Sequence, residues 1–333
     1  MTALRLHGDS IAGPGMLDFA VNVWPGRRPD GLRRALDAAL AGTSYPDERR
    51  ARAAIARRHG RTEEEVLLAN GACEVFWLLA AAFRPRHAVC VHPAFTEPEA
   101  AMRAARVPVT RVQRTPPDWA LRPEDVPEDA DLVVLGNPNN PTGRLDSAGA
   151  IARLARPDRV VVVDEAFMDF VPGETESLAR RRDPGLVVVR SLTKLWSLAG
   201  IRAGYALGSE AVVERLGQQR QPWSVNALAC AALEWCAADA DTPARVALEV
   251  AEARDQLGDE LRASGLEVLP AAANFLLLEG PPGLCAALAE RGIAVRPAAS
   301  FPGLDERFVR IAVRRTADNA RLVTAVAEVL GDL

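Results

Sequence analysis

The chain has almost no lysine. Its 333 residues include 40 lysines and arginines, and because Lys194 is the one lysine, the other 39 are arginine. Either residue serves as a surface charge. A guanidinium, however, stays protonated at biological pH, whereas a lysine amine can lose its proton and attack a carbonyl. Composition leaves two interpretations of Lys194 open: a stray surface charge, or a residue retained for covalent chemistry.

Other features are also scarce. The five cysteines are scattered, odd in number and form no CxxC pair, so we expect reduced thiols and neither a zinc site nor a disulfide framework. No apolar run is long enough to span a bilayer, and the first residues contain no apolar signal segment, which predicts a cytoplasmic protein. The net charge of −4 argues against nucleic acid or an acidic membrane as a partner.

The first two thirds of the chain alternate between helical and β-rich patterns. Helical spacing is found at residues 31–41 and 48–59 and from Gly71 to Phe83. The clearest β-rich runs are Ala88–Val91, Val107–Val112, Leu132–Gly136, Val160–Asp164, Leu186–Arg190 and Ala203–Leu207. The four valines at 160–163 are typical of a strand buried on both faces of a parallel sheet. This alternation predicts an α/β domain with a mostly parallel sheet between helices.

The remaining third has a different pattern. One long helical segment, at about 243–264, precedes β-like segments at Leu266–Pro270 and Asn274–Leu278, a helix at 283–291, a strand at Phe308–Val313 and a final helix. This order predicts a smaller α+β domain. The predicted organisation is an N-terminal arm (1–30) that packs on the small domain, a large domain (31–238) and the small C-terminal domain (239–333).

Four polar segments each follow a β-rich run, where an open α/β sheet usually binds its ligand. In chain order they are NPNNPTG at 137–143, DEAF at 164–167, SLTK at 191–194 and AGIRAGY at 199–205. Taken singly, each is compatible with a structural role, such as an Asn/Pro/Gly turn or an Asp cap. Together they bring an amide, a carboxylate, an amine and a guanidinium to one sheet edge.

In this order the four segments resemble the fold-type I, class I/II aminotransferase family, which uses pyridoxal 5'-phosphate (PLP). The resemblance runs from about Tyr45 to Arg310. It implies that Lys194 forms a Schiff base with the cofactor and then moves the proton on the substrate carbon. It also implies that Asp164 pairs with the ring nitrogen, making the ring an electron sink, and that Asn140 binds the ring hydroxyl oxygen.

The resemblance implies further contacts to the cofactor. The side chains and backbone N–H groups that hold its phosphate are those of Gly71, Ala72, Cys73, Ser191, Thr193 and Arg202. Phe95 stacks on the ring. Tyr45 reaches the phosphate in the neighbouring subunit's site, which implies a homodimer with shared active sites. Phe167 stands where many relatives have a tyrosine that bonds the ring hydroxyl, so Asn140 acts there alone.

Two arginines imply an anionic substrate. Arg310 matches the family's carboxylate-binding arginine, and Arg296 matches one that contacts a second anionic group in the branch acting on phosphorylated amino compounds. His7 and Asn22 lie in the arm that covers the substrate. In the members of the family that decarboxylate threonine phosphate, the arm usually carries His-Gly-Gly and Asn-x-Asn-Pro. This chain differs from that decarboxylase pattern at Asp9 and Trp24.

The substrate and the reaction have two main candidates. Strings such as SFPGL at 300–304 and RIAVR at 310–314 favour, by a small margin, L-threonine-O-3-phosphate decarboxylase of cobalamin biosynthesis. The alternative is an aminotransferase for histidinol phosphate or a related amino acid, with 2-oxoglutarate and glutamate. The same residues run either reaction, because the outcome depends on which substrate bond stands perpendicular to the ring.

Two other functions fit less well. A PLP-binding regulator needs an N-terminal helix-turn-helix domain, which the residues before the matched region do not suggest. A carbon–sulfur lyase on the same fold would leave Arg296 without a role.

Overall fold

The computed structural model describes Leu4, Leu6 and residues 8–332. The helices are α1 (Asp30–Leu40), α2 (Arg49–His59), α3 (Ala72–Phe83), α4 (Glu97–Ala104), α5 (Ala148–Ala152), α6 (Glu210–Gly217), α7 (Ala227–Ala238), α8 (Asp241–Ala263), α9 (Leu284–Glu290) and α10 (Thr316–Asp332). The strands are β1 (Leu17–Asp18), β2 (Val66–Asn70), β3 (Ala88–His92), β4 (Val109–Gln113), β5 (Leu132–Gly136), β6 (Val160–Asp164), β7 (Leu186–Ser191), β8 (Ala203–Leu207), β9 (Glu267–Val268), β10 (Phe275–Glu279), β11 (Ile293–Ala294), β12 (Arg296–Pro297) and β13 (Phe308–Ala312).

A seven-stranded sheet carries most of the polar segments. Its strand order is β2-β8-β7-β6-β5-β3-β4. Strands β3 to β7 are joined by parallel pairings, and β8 runs antiparallel to both of its neighbours, β2 and β7. The carboxyl ends of the parallel strands therefore meet at one edge. The predicted α/β architecture with a mostly parallel sheet is confirmed.

The valine strand β6 shows how the sheet is buried. Val161 and Val163 belong to one apolar cluster, which also contains Leu32 of α1. Val162 belongs to a second cluster, which contains Phe76 of α3. Successive side chains of a strand point to opposite faces, so a run of valines fills both clusters at once. Each fully buried valine contributes roughly 1.5 kcal/mol or more of hydrophobic free energy.

A second, antiparallel sheet has the order β12-β13-β10-β9. Its apolar side chains form a separate cluster with residues of α8, α9 and α10, including Leu257, Leu288 and Leu322. The predicted boundary between 238 and 239 coincides with the end of α7, and α1 begins at Asp30. The division into an arm and two domains stays a prediction, although elements and clusters follow it closely.

The N-terminal arm is fastened to this second region. β1 pairs in parallel with β11, with Leu17 opposite Ile293. The guanidinium of Arg314 donates to the carbonyl oxygens of Asp18 and Val21, each at 2.6 Å, and to that of Val23. One arginine has enough donors in a fixed fork to hold several carbonyls of an irregular segment at once. The arm therefore has a defined path although little of it is helix or strand.

Predicted and observed elements agree best where burial is strongest. The strands expected at 132–136, 160–164 and 203–207 have the observed bounds. The strand expected at Leu266–Pro270 is reduced to Glu267–Val268, because only these two residues pair with β10. Among the described helices, none is both long and apolar enough to cross a membrane.

Candidate active site

The polar segments come together at the carboxyl edge of the seven-stranded sheet. A cavity of about 380 Å³ opens there. The predicted site residues among its lining are Asn22, Cys73, Phe95, Asn140, Thr193, Lys194, Arg202, Arg296 and Arg310. These residues come from separate parts of the chain, and the fold brings them together around one cavity.

Lys194 lies within this cavity. Its Nζ is 5.7 Å from the centroid of the Phe167 ring. Loss of hydration, reinforced by the positive charge of Arg310, lowers the pKa of Lys194 to about 8. A larger fraction of the amine is therefore unprotonated near neutral pH than for an ordinary lysine. The surface-charge interpretation of Lys194 does not fit this position.

The N-terminal arm also fixes the lysine segment. The backbone N–H of Trp24 donates to the carbonyl oxygen of Lys194 at 2.9 Å. The hydroxyl of Ser197 donates to the Trp24 carbonyl oxygen, and Arg28 donates to the Ser197 carbonyl oxygen at 2.7 Å. The departure at Trp24 from the decarboxylase pattern therefore has a structural role, since its ring is buried in the core.

Asp164 ends β6 at the back of the site. It lines a smaller adjoining cavity that shares Phe95, Asn140 and Phe167 with the main one. Loss of hydration raises the pKa of Asp164 to about 6, against the opposing effects of the Ala166 N–H, 3.0 Å from its Oδ1, and of Lys194. A cationic ring nitrogen beside this carboxylate would supply the compensation that it lacks.

Hydrogen bonds and a buried ion pair stabilise the turn that carries Asn140. Asp146 N–H donates to Asn137 Oδ1 at 2.8 Å, and Asn137 Nδ2 donates back to the Asp146 carbonyl oxygen at 3.1 Å. The Asp146 carboxylate also pairs with the buried Arg114, with 2.7 Å between Oδ2 and Nη2. Arg114 and Asp146 are not recognisable as site residues in the sequence, because an isolated charged residue gives no signal of burial.

The start of α3 combines helix N–H groups with a nearby guanidinium. Gly71 precedes this helix with φ +77°, and a Cβ on it would lie 2.4 Å from Nη2 of Arg202. A Cβ on Gly204 would lie 2.4 Å from the backbone nitrogen of Ala72. The two glycines thus let a guanidinium and strand β8 approach the N-terminus of the helix. Helix N–H groups with an adjacent arginine form an anion site.

Ser191, Thr193 and Cys73 are the other side chains predicted at the phosphate. Ser191 ends β7, and its Oγ accepts from the Thr193 N–H at 3.2 Å. The Cys73 thiol donates to Oε2 of Glu97, 3.7 Å away. Burial and the Glu97 charge raise the pKa of Cys73 to about 12, so the thiol stays neutral. Its predicted contribution, a backbone N–H, does not depend on the thiol.

Arg296 and Arg310 form the opposite wall. They face each other across the antiparallel pair of β12 and β13, so their side chains share one face of the sheet. Arg310 donates to Asn140 Oδ1 at 2.7 Å, and Arg296 donates to Ser300 Oγ at 2.7 Å. Nε of Arg310 and Nη1 of Arg296 are buried without a hydrogen-bond partner in the described chain.

This pair of cations is costly without an anion. Burial, and then the charge of Arg296, lower the pKa of Arg310 to about 9. Burial also lowers the pKa of Arg296. Like charges directly opposite across strands destabilise a sheet. The unsatisfied donors of the two arginines could together bind an anion with several oxygens.

The arm contributes Asn22. Its side chain is 3% exposed, and both amide atoms lack a hydrogen-bond partner within the described residues. Unsatisfied buried amides are rare in folded proteins, and this one lines the cavity, so a ligand can satisfy it. His7, the other residue predicted in the arm, lies outside the described residues.

Two aromatic predictions have different outcomes. Phe95 lines the cavity, with its ring 6.5 Å from that of Phe76, and its stacking on the cofactor ring stays a prediction. Tyr45 is 75% exposed and stacks on Trp223 with 4.5 Å between ring centroids, away from this chain's cavity. Its assignment to a neighbouring subunit's site stays a prediction. Phe167 is buried and packs edge-on against Phe275 at 4.9 Å.

Solved structures support the same architecture. The histidinol-phosphate aminotransferase from Clostridium acetobutylicum superposes with a TM-score of 0.89 at 25% identity, over 95% of this chain and 99% of that one.

Sequence comparison identifies the family. The histidinol-phosphate aminotransferase of Mycobacterium tuberculosis H37Rv is 46% identical over 98% of this chain and 91% of its own length. The threonine-phosphate decarboxylase of Salmonella typhimurium LT2 is 34% identical over 96% of this chain and 93% of its own. The sequence profile of aminotransferase class I and II matches residues 15–326, a wider span than the predicted resemblance. The chain is therefore a member of the class I and II aminotransferase family.

Proposed function

We propose that this protein is an aminotransferase that takes the amino group of histidinol phosphate, or of a closely similar phosphate ester, and passes it to 2-oxoglutarate. The observation that carries the proposal is the cross-strand pair Arg296 and Arg310, with its unsatisfied donors. A phosphate dianion can accept from both guanidinium groups at once. An amino alcohol phosphate needs no other anion site.

The cofactor of the family is pyridoxal 5'-phosphate, and the residues present fit it. We assign its phosphate to Gly71, Ala72, Cys73, Ser191, Thr193 and Arg202, because Arg202 lies against Gly71 at the start of α3. Asp164 would hold the proton on the ring nitrogen, and Asn140 would donate to the ring hydroxyl oxygen. When bound, the cofactor supplies an electron sink for the bond broken at the substrate carbon.

Lys194 is the group that would move a proton at the substrate carbon. Its lowered pKa suits this role, since a general base works best with a pKa near the working pH. Phe167 beside it adds apolar surface and no hydrogen bond. Asn140 links the two ends of the site, because the same side chain accepts from Arg310.

The aminotransferase thereby becomes the first candidate for the reaction, ahead of the decarboxylase. The sequence strings favoured threonine-phosphate decarboxylase by a small margin, whereas the relative at 46% identity is named a histidinol-phosphate aminotransferase. The decarboxylase remains the second candidate, because the Salmonella relative matches over nearly the whole chain. Its substrate would also need an anion site for the carboxylate.

We also propose a homodimer with shared sites. Tyr45 and Trp223 are exposed aromatic residues that stack on each other, as expected for residues covered by a second subunit. Tyr45 would then complete the phosphate site of the partner.

One experiment separates the two reactions. The PLP-loaded protein is incubated with 2-oxoglutarate and histidinol phosphate, and separately with 2-oxoglutarate and threonine phosphate. Glutamate formed only in the first mixture supports the proposal. Carbon dioxide released from the second, without glutamate in the first, would replace it with the decarboxylase.

A further inference from the structure

Trp223 is an exposed aromatic residue with an unfavourable backbone conformation. Its side chain is 59% exposed, so its indole adds little to the core. Its φ is +55°, in the left-handed region, which bulky side chains rarely adopt. Such strain persists only where the surrounding structure enforces it, and it is concentrated at functional sites. The strain and the exposure together point to a role for Trp223 outside the core.

Arg220 fixes the start of the segment that carries Trp223. Its Nη2 donates to Oε2 of Glu48 at 2.8 Å, and its Nη1 donates to the carbonyl oxygen of Leu68 in β2. Both members of the Arg220–Glu48 ion pair are largely buried, with 13% of each side chain exposed. Glu48 lies shortly after Tyr45 in the chain, so this ion pair joins the segment of Trp223 to the segment of Tyr45.

Asn226 fixes the end of the same segment. Its Nδ2 donates to the carbonyl oxygen of Ile201 at 3.0 Å, and its Oδ1 accepts from the Ala229 N–H at 2.9 Å, which caps α7. Ile201 directly precedes Arg202, which we assign to the cofactor phosphate. Because the segment is held on both sides of Trp223, the indole has a defined position.

The ring of Tyr45 stacks on this indole. The ring centroids are 4.5 Å apart and the planes are 22° from parallel, which is a favourable aromatic geometry. Tyr45 is 75% exposed, and a side chain exposed to this extent would otherwise sample several rotamers. The stack therefore restricts the direction in which the Tyr45 hydroxyl points.

We propose that Trp223 is a positioning residue, which acts through Tyr45 on the cofactor phosphate in the neighbouring subunit's site. The inference rests on the proposed homodimer with shared sites. The indole holds the Tyr45 ring, so the hydroxyl can donate to the phosphate with a smaller loss of side-chain freedom on binding. Each subunit then contributes to the cofactor affinity of the other through two residues, of which only Tyr45 touches the cofactor.

A double-mutant cycle separates this role from a general effect on the subunit interface. Tyr45→Phe removes the hydroxyl, Trp223→Leu removes the ring but keeps apolar bulk, and a third variant combines them. Trp223→Phe keeps an aromatic ring. Leu248→Ala, which shortens another exposed apolar side chain (62% exposed), is the control. PLP-loaded dimers are dialysed against a series of PLP concentrations, bound cofactor is measured by its absorbance, and sedimentation reports the oligomeric state of each sample.

Tyr45→Phe is expected to raise the dissociation constant for PLP about tenfold, as for a lost hydrogen bond to a charged group. Trp223→Leu should raise it about fivefold, as for a lost aromatic stack. In the Tyr45→Phe background, Trp223→Leu should have less than about a twofold further effect, because the hydroxyl that it positions is already absent. Trp223→Phe and Leu248→Ala should stay within about twofold of the wild type.

Three results would overturn the inference while the shared site stands. In the first, Trp223→Leu leaves PLP binding unchanged although Tyr45→Phe weakens it. In the second, Trp223→Leu weakens PLP binding equally with and without the Tyr45 hydroxyl. In the third, Trp223→Leu loses PLP only because the dimer dissociates, which would make Trp223 an interface residue.

Failure of the shared site gives a different result. Wild-type affinity for PLP in Tyr45→Phe would contradict the contact of Tyr45 with the phosphate, and the inference about Trp223 would fall with it. Neither measurement depends on the substrate, so the outcome is independent of whether the protein forms glutamate from histidinol phosphate.

Discussion

Two buried arginines on neighbouring sheets have opposite surroundings. Arg190 of β7 pairs with Glu165 at 3.0 Å, with Glu174 at 2.8 Å and with Asp169. Burial alone would lower the pKa of Arg190, but the charges of Asp169 and Glu174 outweigh it and raise that pKa. Arg310 forms no ion pair with a carboxylate among the described residues. Burial and the nearby Arg296 lower its pKa to about 9.

This difference in surroundings distinguishes charged residues that stabilise the fold from charged residues whose compensation would come from a ligand. A buried ion cluster is stable only when its members compensate one another, and removal of one member leaves uncompensated charge. In the cavity, the charges of Lys194, Asp164 and Arg310 are incompletely compensated by the protein. A cofactor and an anionic substrate would supply the missing opposite charges. We therefore expect substitutions in the two regions to have different effects, activity being lost in one and stability in the other.

The largest effect is expected at Lys194. Lys194→Ala should lower kcat by roughly 10⁴-fold or more, since the proton-moving group is removed. The free energy of unfolding of the cofactor-free protein should not fall, because a poorly hydrated amine is lost. Activity assays and the absorbance of the bound cofactor check this. Lys194→Arg keeps the charge and should be equally inactive; activity in either variant would contradict the assignment.

Arg190→Met tests the structural cluster. It leaves Glu165 and Asp169 without their cation, and Glu174 with Arg58 alone, so the free energy of unfolding should fall by about 3–5 kcal/mol. Urea denaturation of the cofactor-free protein measures this. Arg181→Met, which removes an exposed ion pair with Asp183, is the matched control and should cost less than about 1 kcal/mol. Equal losses of unfolding free energy in Arg190→Met and Arg181→Met would contradict a structural role of the Arg190 cluster.

Arg310→Met tests the cavity side with the same substitution. We expect kcat/KM for the phosphorylated substrate to fall about 100-fold, as for a lost charge-assisted contact, while the free energy of unfolding stays the same or rises. Arg307→Met, an exposed residue three positions earlier, should leave kcat/KM within about twofold. A large loss of stability in Arg310→Met would mean that Arg310 is structural, like Arg190.

The smallest effect concerns pH and Asp164. Its folded-state pKa of about 6 lies above the ordinary value of 3.8, so the folded protein binds the proton more tightly and loses stability as pH rises from about 4 to 6. In the cofactor-free protein, Asp164→Asn should be more stable than wild type by about 2 kcal/mol at pH 7.5 and nearly equal at pH 4. Denaturation curves at both pH values check this, and a constant difference would refute it.

Much of the fold was predictable because buried strands are recognisable in the sequence as runs of apolar residues. The valines of β6 and the polar residues that follow β5, β6 and β7 predicted the sheet and its ligand edge. The reversed direction of β8 left no such mark, because Ala203–Leu207 is apolar whichever way the strand runs. The direction of one strand follows from its connections and its neighbours, which a local pattern does not contain.

The site residues likewise divide into those that the sequence predicts and those that only the structure reveals. Lys194, Asp164 and Asn140 could be found because their motifs are local. The in-register pairing of Arg296 with Arg310 and the grip of Arg314 on the arm depend on contacts between distant segments. With 39 arginines in the chain, composition does not show which are buried. Gly204 lies within the segment AGIRAGY, but its close approach to Ala72 is visible only in three dimensions.

The docking of the arm has a consequence for the order of events during synthesis. Trp24 binds the lysine segment, but the arm that carries Trp24 is itself held by Ile293 and Arg314. Ile293 and Arg314 are made after all strands of the seven-stranded sheet, whereas domains generally fold as they emerge from the ribosome. The seven-stranded sheet can therefore form on a nascent chain, while the hydrogen bond to the Lys194 carbonyl forms only after Arg314 has been made.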